Sequence, residues 1–274
     1  MSRWGVFTHV VVWGIVALGM TGILTKLQRQ MIYYPSVAQE QELLAEAARL
    51  GLQDWRDASE ALVGWHYGPL HDSGRRLLVF HGNAGFALHR DYFVRGFQAL
   101  DIGWQVFLFE YPGYGARHGS PSEESIKLAA AQALQLLLSA DARPVYLVGE
   151  SLGSGVASHL AAAFPEQVAG LLLVTPFSSL SDVAAHHFKW LPARRLLSER
   201  YDSMDDLSHY RGPVAFLLAG RDQVVPTALG QRLHDHYAGP RWLQVVPHAG
   251  HNTLPLDPAA PWWREVSTFL LEAR

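Results

Sequence analysis

A chain of 274 residues has room for one large domain with a substantial core, and 49% hydrophobic with 17% charged content excludes an intrinsically disordered protein. A net charge of −3 without a basic run leaves no electrostatic footprint for nucleic acid. With no cysteine there is no disulfide, thiol nucleophile, thiolate metal site or lipid-modified cysteine, and either redox compartment is compatible.

In chain order the first feature is an uncharged run. Between Arg3 and Lys26 stand 22 residues without Asp, Glu, Lys or Arg. About 20 apolar residues suffice for a helix to cross a bilayer. Residues 4–25 are therefore read as a single-span membrane anchor, and residues 1–29 as the anchor with its flanks, ahead of a domain over 30–274. A cleaved signal peptide, which would export the domain, is one alternative, with "ALG" at 17–19 as a weak cleavage site; a buried or surface-lying helix is another. Arg3 and the amino terminus balance Lys26 and Arg29, so charge assigns no side of the membrane to the domain.

Beyond Pro35, residues 38–52 have helical spacing and a stop at Gly51. Apolar, strand-like runs follow at 77–82, 104–111, 145–149, 170–176, 214–220 and 243–248. They are nearly continuous rather than alternating, as strands buried on both faces of a parallel sheet should be. Helical segments separate them near 87–100, 121–139, 152–163, 227–237 and 259–273. In the second of these, Ser120 is placed to cap the helix, Pro121 to occupy its first position and Glu123 to close a capping box. Strand–helix alternation at this spacing predicts an α/β fold, a mostly parallel, doubly wound sheet with helices on both faces.

Ligands of such sheets bind at the carboxyl ends of the strands. There the sequence "VYLVGESLGSG" places Ser151 between Gly149 and Gly153, at a strand-to-helix turn. Gly-x-Ser-x-Gly in that context is a nucleophile elbow: the glycines permit a strained turn, and the helix start aims free N–H groups at developing negative charge. "GSGVAS" at 153–158 also starts like a dinucleotide loop, but ends in Ser158 and begins inside the helix. A serine hydroxyl needs a base, and the base an orienting acid. "GRDQVVP" offers Asp222 after one strand and "HAGHN" offers His251 after the next, with His248 as the alternative base and Asp202, Asp205 or Asp206 as alternative acids. Oxyanion donors are expected from the Leu152 N–H and, in the loop "HGNAG", from the Asn83 N–H, with Ala84 second.

Taken together, "HGNAG", "EYPGYG" (110–115), "GESLG", "TPFSSL" (175–180), "GRDQVVP" and "HAGHN" resemble the α/β-hydrolase superfamily, in order, over residues 30–272. The resemblance extends to the membrane-tethered α/β-hydrolase-domain proteins, some of which are acyl-protein thioesterases. It implies an α/β-hydrolase fold and a serine hydrolase of carboxylic esters or thioesters. Its substrate would be a small or lipid-like acyl compound, or an acylated protein, and no cofactor would be needed. Where the family usually carries an aspartate this chain has Glu110, read as structural. The segment at 175–212, between the runs at 170–176 and 214–220, is only about 38 residues, too short for a large lid. It implies a short cap and an open site, with Phe177, Trp190 and Leu191 as candidate walls of an acyl pocket.

Three other readings compete. A serine peptidase on the same fold lacks an obvious substrate-selecting domain. A non-catalytic binding module would leave a filled triad idle. A metal hydrolase would draw on His186-His187, His234-x-His236 and His248-x-x-His251, without an HExxH motif. Oligomeric state is not assigned. If His251 is the base, activity falls on acidification as its imidazole takes up a proton; a rate constant across about pH 5 to 8 would exclude that role.

Overall fold

The computed structural model describes residues 22–68, 74–190 and 192–273. The greater part of the expected span, residues 4–21, lies outside them, and no helix among the described residues is long and apolar enough to cross a membrane. Residues 22–32 are helical (α1). The boundary expected between residues 29 and 30 thus falls inside a continuous helix.

The chain continues through β1 (Tyr34–Pro35), α2 (Glu40–Arg49), β2 (Gln53–Arg56), β3 (Leu62–Tyr67), β4 (Arg75–Phe80) and β5 (Ala84–Gly85). A 3₁₀ turn at Ala87–Arg90 leads into α3 (Asp91–Gln98), β6 (Trp104–Phe109), α4 (Glu123–Ala140), β7 (Val145–Glu150), α5 (Leu152–Ala163) and β8 (Val168–Val174). A short cap of α6 (Leu180–His187), α7 (Ala193–Leu196) and α8 (Ser203–Ser208) precedes β9 (Val214–Ala219), α9 (Thr227–His236), β10 (Arg241–Val246) and α10 (Trp262–Glu272). Eight strands form one sheet in the order β2-β3-β6-β4-β7-β8-β9-β10, antiparallel at β2/β3/β6 and parallel elsewhere.

All six strand-like runs are strands of this sheet, each within a few residues of its expected bounds. The central ones are buried along their length because apolar clusters cover both faces. On one face Ile126, Leu134, Val156 and Leu160 of α4 and α5 meet the sheet; on the other Phe93, Phe97, Trp263 and Val266 of α3 and α10 do so. The β2–β3 hairpin was not expected. Its alternating and glycine-containing sequence carries no continuous apolar run, and its place depends on pairing with β6.

One expected cap is corrected. The helix cap is Ser122, not Ser120, and the capping box is closed by Ser125: Ser125 N–H donates to Ser122 Oγ (3.0 Å) and Ser122 N–H to Ser125 Oγ (2.9 Å). Glu123 is drawn elsewhere, because its carboxylate accepts the Arg200 and Tyr201 N–H groups (2.5 and 3.0 Å) from the cap segment. That partner is 78 residues away and invisible to local pattern.

Helix α3 seats on α10 through Gly96, where a Cβ would lie 2.4 Å from the buried Trp263 ring. Gly96→Ala is expected to destabilise the domain by about 1–3 kcal/mol through overpacking. The measurement is a lowered Tm by circular dichroism; an unchanged Tm would show that the helices reseat freely.

Candidate active site

Chain order reverses beside β4, since β6 lies on one side of it and β7 on the other. The crevice at such a switch point is where ligands of open α/β sheets bind. Ser151 stands there, after β7, with φ +51° and ψ −115°. A non-glycine residue in that region costs about 1–3 kcal/mol and persists only where its surroundings over-determine it. Here they do. A Cβ on Gly153 would lie 2.1 Å from the Phe80 carbonyl oxygen, and one on Gly149 would lie 2.5 Å from the Gly153 carbonyl oxygen. Ser151 N–H donates to Val174 O (2.8 Å), and Ser154 Oγ donates to Ser151 O (2.6 Å).

Loops after β9 and β10 bring Asp222 and His251 to the serine. His251 Nε2 lies 3.0 Å from Ser151 Oγ, and His251 Nδ1 lies 2.6 Å from Asp222 Oδ2. Asp222 accepts only, so Nδ1 carries the proton and Nε2 is free to accept from the serine hydroxyl. The other carboxylate oxygen, Asp222 Oδ1, takes the Val224 and Val225 N–H groups (2.9 and 2.8 Å), which hold the acid in place. Both side chains are largely buried. His248 is exposed, one turn from this contact. The alternative acids lie elsewhere: Asp202 caps α8 through Asp205 N–H, Asp205 is exposed, and Asp206 faces His159. The paired histidines do not gather into a chelating set, since no three His, Asp or Glu side chains among the described residues converge as metal ligands.

The β4 loop is tied down on both sides. Asn83 Oδ1 accepts from Tyr34 N–H (3.1 Å) and from Tyr114 Oη (3.3 Å). Arg90 joins the loop to the elbow: its Nη1 donates to Ala84 O (2.8 Å) and its Nε to Glu150 Oε2 (2.8 Å). Burial opposes ionisation of Glu150, but the Arg90 guanidinium and hydrogen bonds from Tyr92 and Gly82 N–H hold its carboxyl below the usual carboxylate value. Glu110, fully buried, accepts Ala87 N–H (3.1 Å) and lies 3.5 Å from His81 Nε2, a packing role away from the serine.

Asn83, Ser151 and Leu152 share a cavity of about 680 Å³ with the remaining walls almost wholly apolar. Phe177 lines it. Trp190 does not: it is 78% exposed at the surface, because the cap turns away after Phe188. Leu191 lies outside the described residues. Sequence reasoning missed the walls from α1 and α6, including Leu24, Met31, Ile32 and Val183. The apolar recurrence at 24, 31 and 32 was the available signal; the expected span took in Leu24 and stopped short of Met31 and Ile32. His251 faces a second, smaller recess of about 230 Å³ with a mixed wall, polar at Arg90, Glu150 and Asn252 and apolar at Phe93, Leu254 and Leu256.

A family model of the alpha/beta hydrolase fold matches residues 75–206. An uncharacterized protein of Mycobacterium tuberculosis is 38% identical over 248 residues, covering 87% of this chain and 86% of that one. The lysophosphatidylserine lipase ABHD12 of Danio rerio is 31% identical over 199 residues, covering 66% of this chain; the match spans 52% of the lipase's own length. Among solved structures, an esterase of Pyrococcus furiosus superposes with a TM-score of 0.67 at 15% identity, over 88% of this chain and 97% of that one, a likeness of fold.

The Arg90–Glu150 pair makes a pH prediction. A carboxyl held below its unfolded value adds stability above the usual carboxylate range and loses it as pH falls through the lowered value. Acid unfolding should therefore be less steep in Glu150→Gln, which is also less stable at neutral pH. Unfolding curves that run parallel from about pH 7 to 3 would remove this pair from the account.

Proposed function

Because this chain belongs to the α/β-hydrolase superfamily, we propose that it is a serine hydrolase acting on acyl esters or thioesters. The observation that carries the reading is the unbroken relay Ser151–His251–Asp222, with contacts of 3.0 and 2.6 Å. Ser151 Oγ attacks the acyl carbonyl carbon as His251 Nε2 takes its proton. Asp222 stabilises the imidazolium so formed. Negative charge collects on the former carbonyl oxygen, within reach of the Leu152 N–H, which has no intrahelical acceptor in the first turn of α5, and of the Asn83 N–H. Losing either donor would cost roughly 3–4 kcal/mol of barrier lowering.

Collapse of the tetrahedral species breaks the bond to the leaving alcohol or thiol, which departs with the proton held on His251. An acyl–Ser151 ester remains. Water then gives a proton to His251 and attacks that ester, releasing the acid and restoring the hydroxyl. The apolar cavity beside Ser151 suits an acyl chain, and the smaller recess beside His251, with Arg90, Glu150 and Asn252 in its mixed wall, suits a leaving group that must receive a proton there. The lipase and esterase likenesses support a lipid-like acyl ester over a peptide. The uncharged residues 4–21, ahead of α1, would tether the domain to a membrane, where such substrates partition.

The test is labelling by a fluorophosphonate probe together with hydrolysis of acyl esters. Ser151 should be modified in the native chain and nothing in Ser151→Ala, and Asp222→Asn should lower kcat by about 10⁴. Equal labelling after Ser151→Ala, or none of the folded native protein, would refute the reading.

A further inference from the structure

The matched family residues, 75–206, leave out α1, yet α1 builds one side of the cavity around Ser151. Leu24, Gln28 and Met31 recur at helical spacing on a single face, flanked by Ile32, and all four line the cavity. Leu24 and Met31 remain 48% and 60% exposed while doing so. Val183 of α6, Phe188 and Leu196 line the same cavity.

The helix is held as a rigid wall. Gln28 Nε2 donates to Leu196 O (2.8 Å), and Gln28 Oε1 accepts the Ser198 N–H (3.0 Å). Arg29 Nε and Tyr33 Oη both donate to the buried Glu199 carboxylate (2.7 and 2.6 Å), which also accepts the Glu123 N–H at the start of α4. Burial, with Tyr201 and Glu199 beside it, pushes the Tyr33 phenol far above its ordinary value, so it remains a neutral donor. Directly after α1, Tyr34 and Pro35 pair with Ala84 and Gly85 of the β4 loop. Wall and oxyanion loop are one connected piece.

The two sides of the relay differ in chemistry. His251, which must protonate the leaving group, faces a recess that mixes charged and apolar groups, whereas the α1 side is almost wholly apolar. We propose that α1 is the specificity-determining wall of this site, with Leu24, Met31 and Ile32 holding the acyl chain of the substrate against Val183 and Phe188. This rests on the hydrolase reading above. Each methylene taken up against such a wall raises kcat/KM by about fourfold.

The experiment uses the full chain in phosphatidylcholine nanodiscs and a series of acyl esters from four to sixteen carbons. In the native chain kcat/KM climbs with chain length. Ile32→Trp fills the cavity and lowers the ratio of long-chain to butyryl activity by tenfold or more. Leu24→Ala, a mild change at an exposed position, shifts the same ratio without threatening the fold. A ratio unmoved by both variants, with esters still cleaved, overturns the proposal and leaves the hydrolase reading standing. A second readout needs no catalysis: a diazirine-bearing palmitic acid, photolysed with Ser151→Ala protein, should crosslink within residues 22–32 and 180–188. Crosslinks there without ester cleavage by the native chain would sustain the wall and defeat the hydrolase reading; crosslinks only elsewhere would defeat the wall.

Discussion

The start of α5 lies so close to the end of β4 that no side chain fits between them. Gly153 has the Phe80 carbonyl oxygen 2.1 Å from where a Cβ would be, and Gly149 is shut in by the backbone of Gly153 and Ser154. That contact decides the rest. With α5 held this near both β4 and the end of β7, the residue that joins β7 to α5 must turn sharply, and Ser151 takes a positive φ that an isolated peptide would avoid. The strain is held by ordinary forces: strand pairing of β7 on both edges, burial of the small first turn of α5, and the Ser151 N–H bond to Val174. The hydroxyl is thereby presented at a fixed point, and partners arriving from distant loops can be aimed at it.

Those partners are fixed by polar bonds more than by packing. Asp222 spends one oxygen on two backbone N–H groups and the other on His251, so the acid cannot rotate without leaving donors unpaired in a largely buried place. The loop carrying Asn83 is pinned from one side by Tyr34 and Tyr114 and from the other by Arg90, which spans from Ala84 to Glu150 beside the serine. A charged pair is suited to that task, since separating it strands two partly desolvated ions. The middle residue of Gly-Glu-Ser thus has a physical assignment of its own. It is the residue through which the Asn83 loop is held, by way of Arg90, to the turn that carries Ser151.

Around this polar centre the surfaces divide. On the Leu152 side lie α1 and the cap helices with their apolar faces; on the His251 side Arg90, Glu150 and Asn252 mix with Phe93, Leu254 and Leu256. The short cap contributes only part of the apolar side; Phe177, Val224 and Val225 add to it, and α1, held by a clamp on Glu199, adds a further part. The buried carboxylate ties three separate pieces of chain, α1, the α4 start and the cap, into one arrangement.

The amino-acid sequence by itself determined the alternation of strands and helices, because strands buried on both faces must be continuously apolar and six such runs are plain in it. It also determined the sharp turn at Ser151, because glycines on both sides of a residue at a strand–helix junction permit close approach of the backbone, and it set the chain order of Ser151, Asp222 and His251. It did not determine what surrounds them. Trp190 reads as a pocket residue and is exposed, Ser120 reads as a cap and Ser122 is the cap, and residues 22–25, read as the end of a membrane span, open a helix that is a wall of the cavity. Each of these depends on contacts between segments far apart in the chain: Glu123 with Tyr201 across 78 residues, Gln28 with Leu196 across 168. Local propensity and periodicity report which face of an element is apolar. Only the tertiary structure decides whether that face meets the core, a cavity or solvent, because that choice depends on which distant segment arrives to cover it.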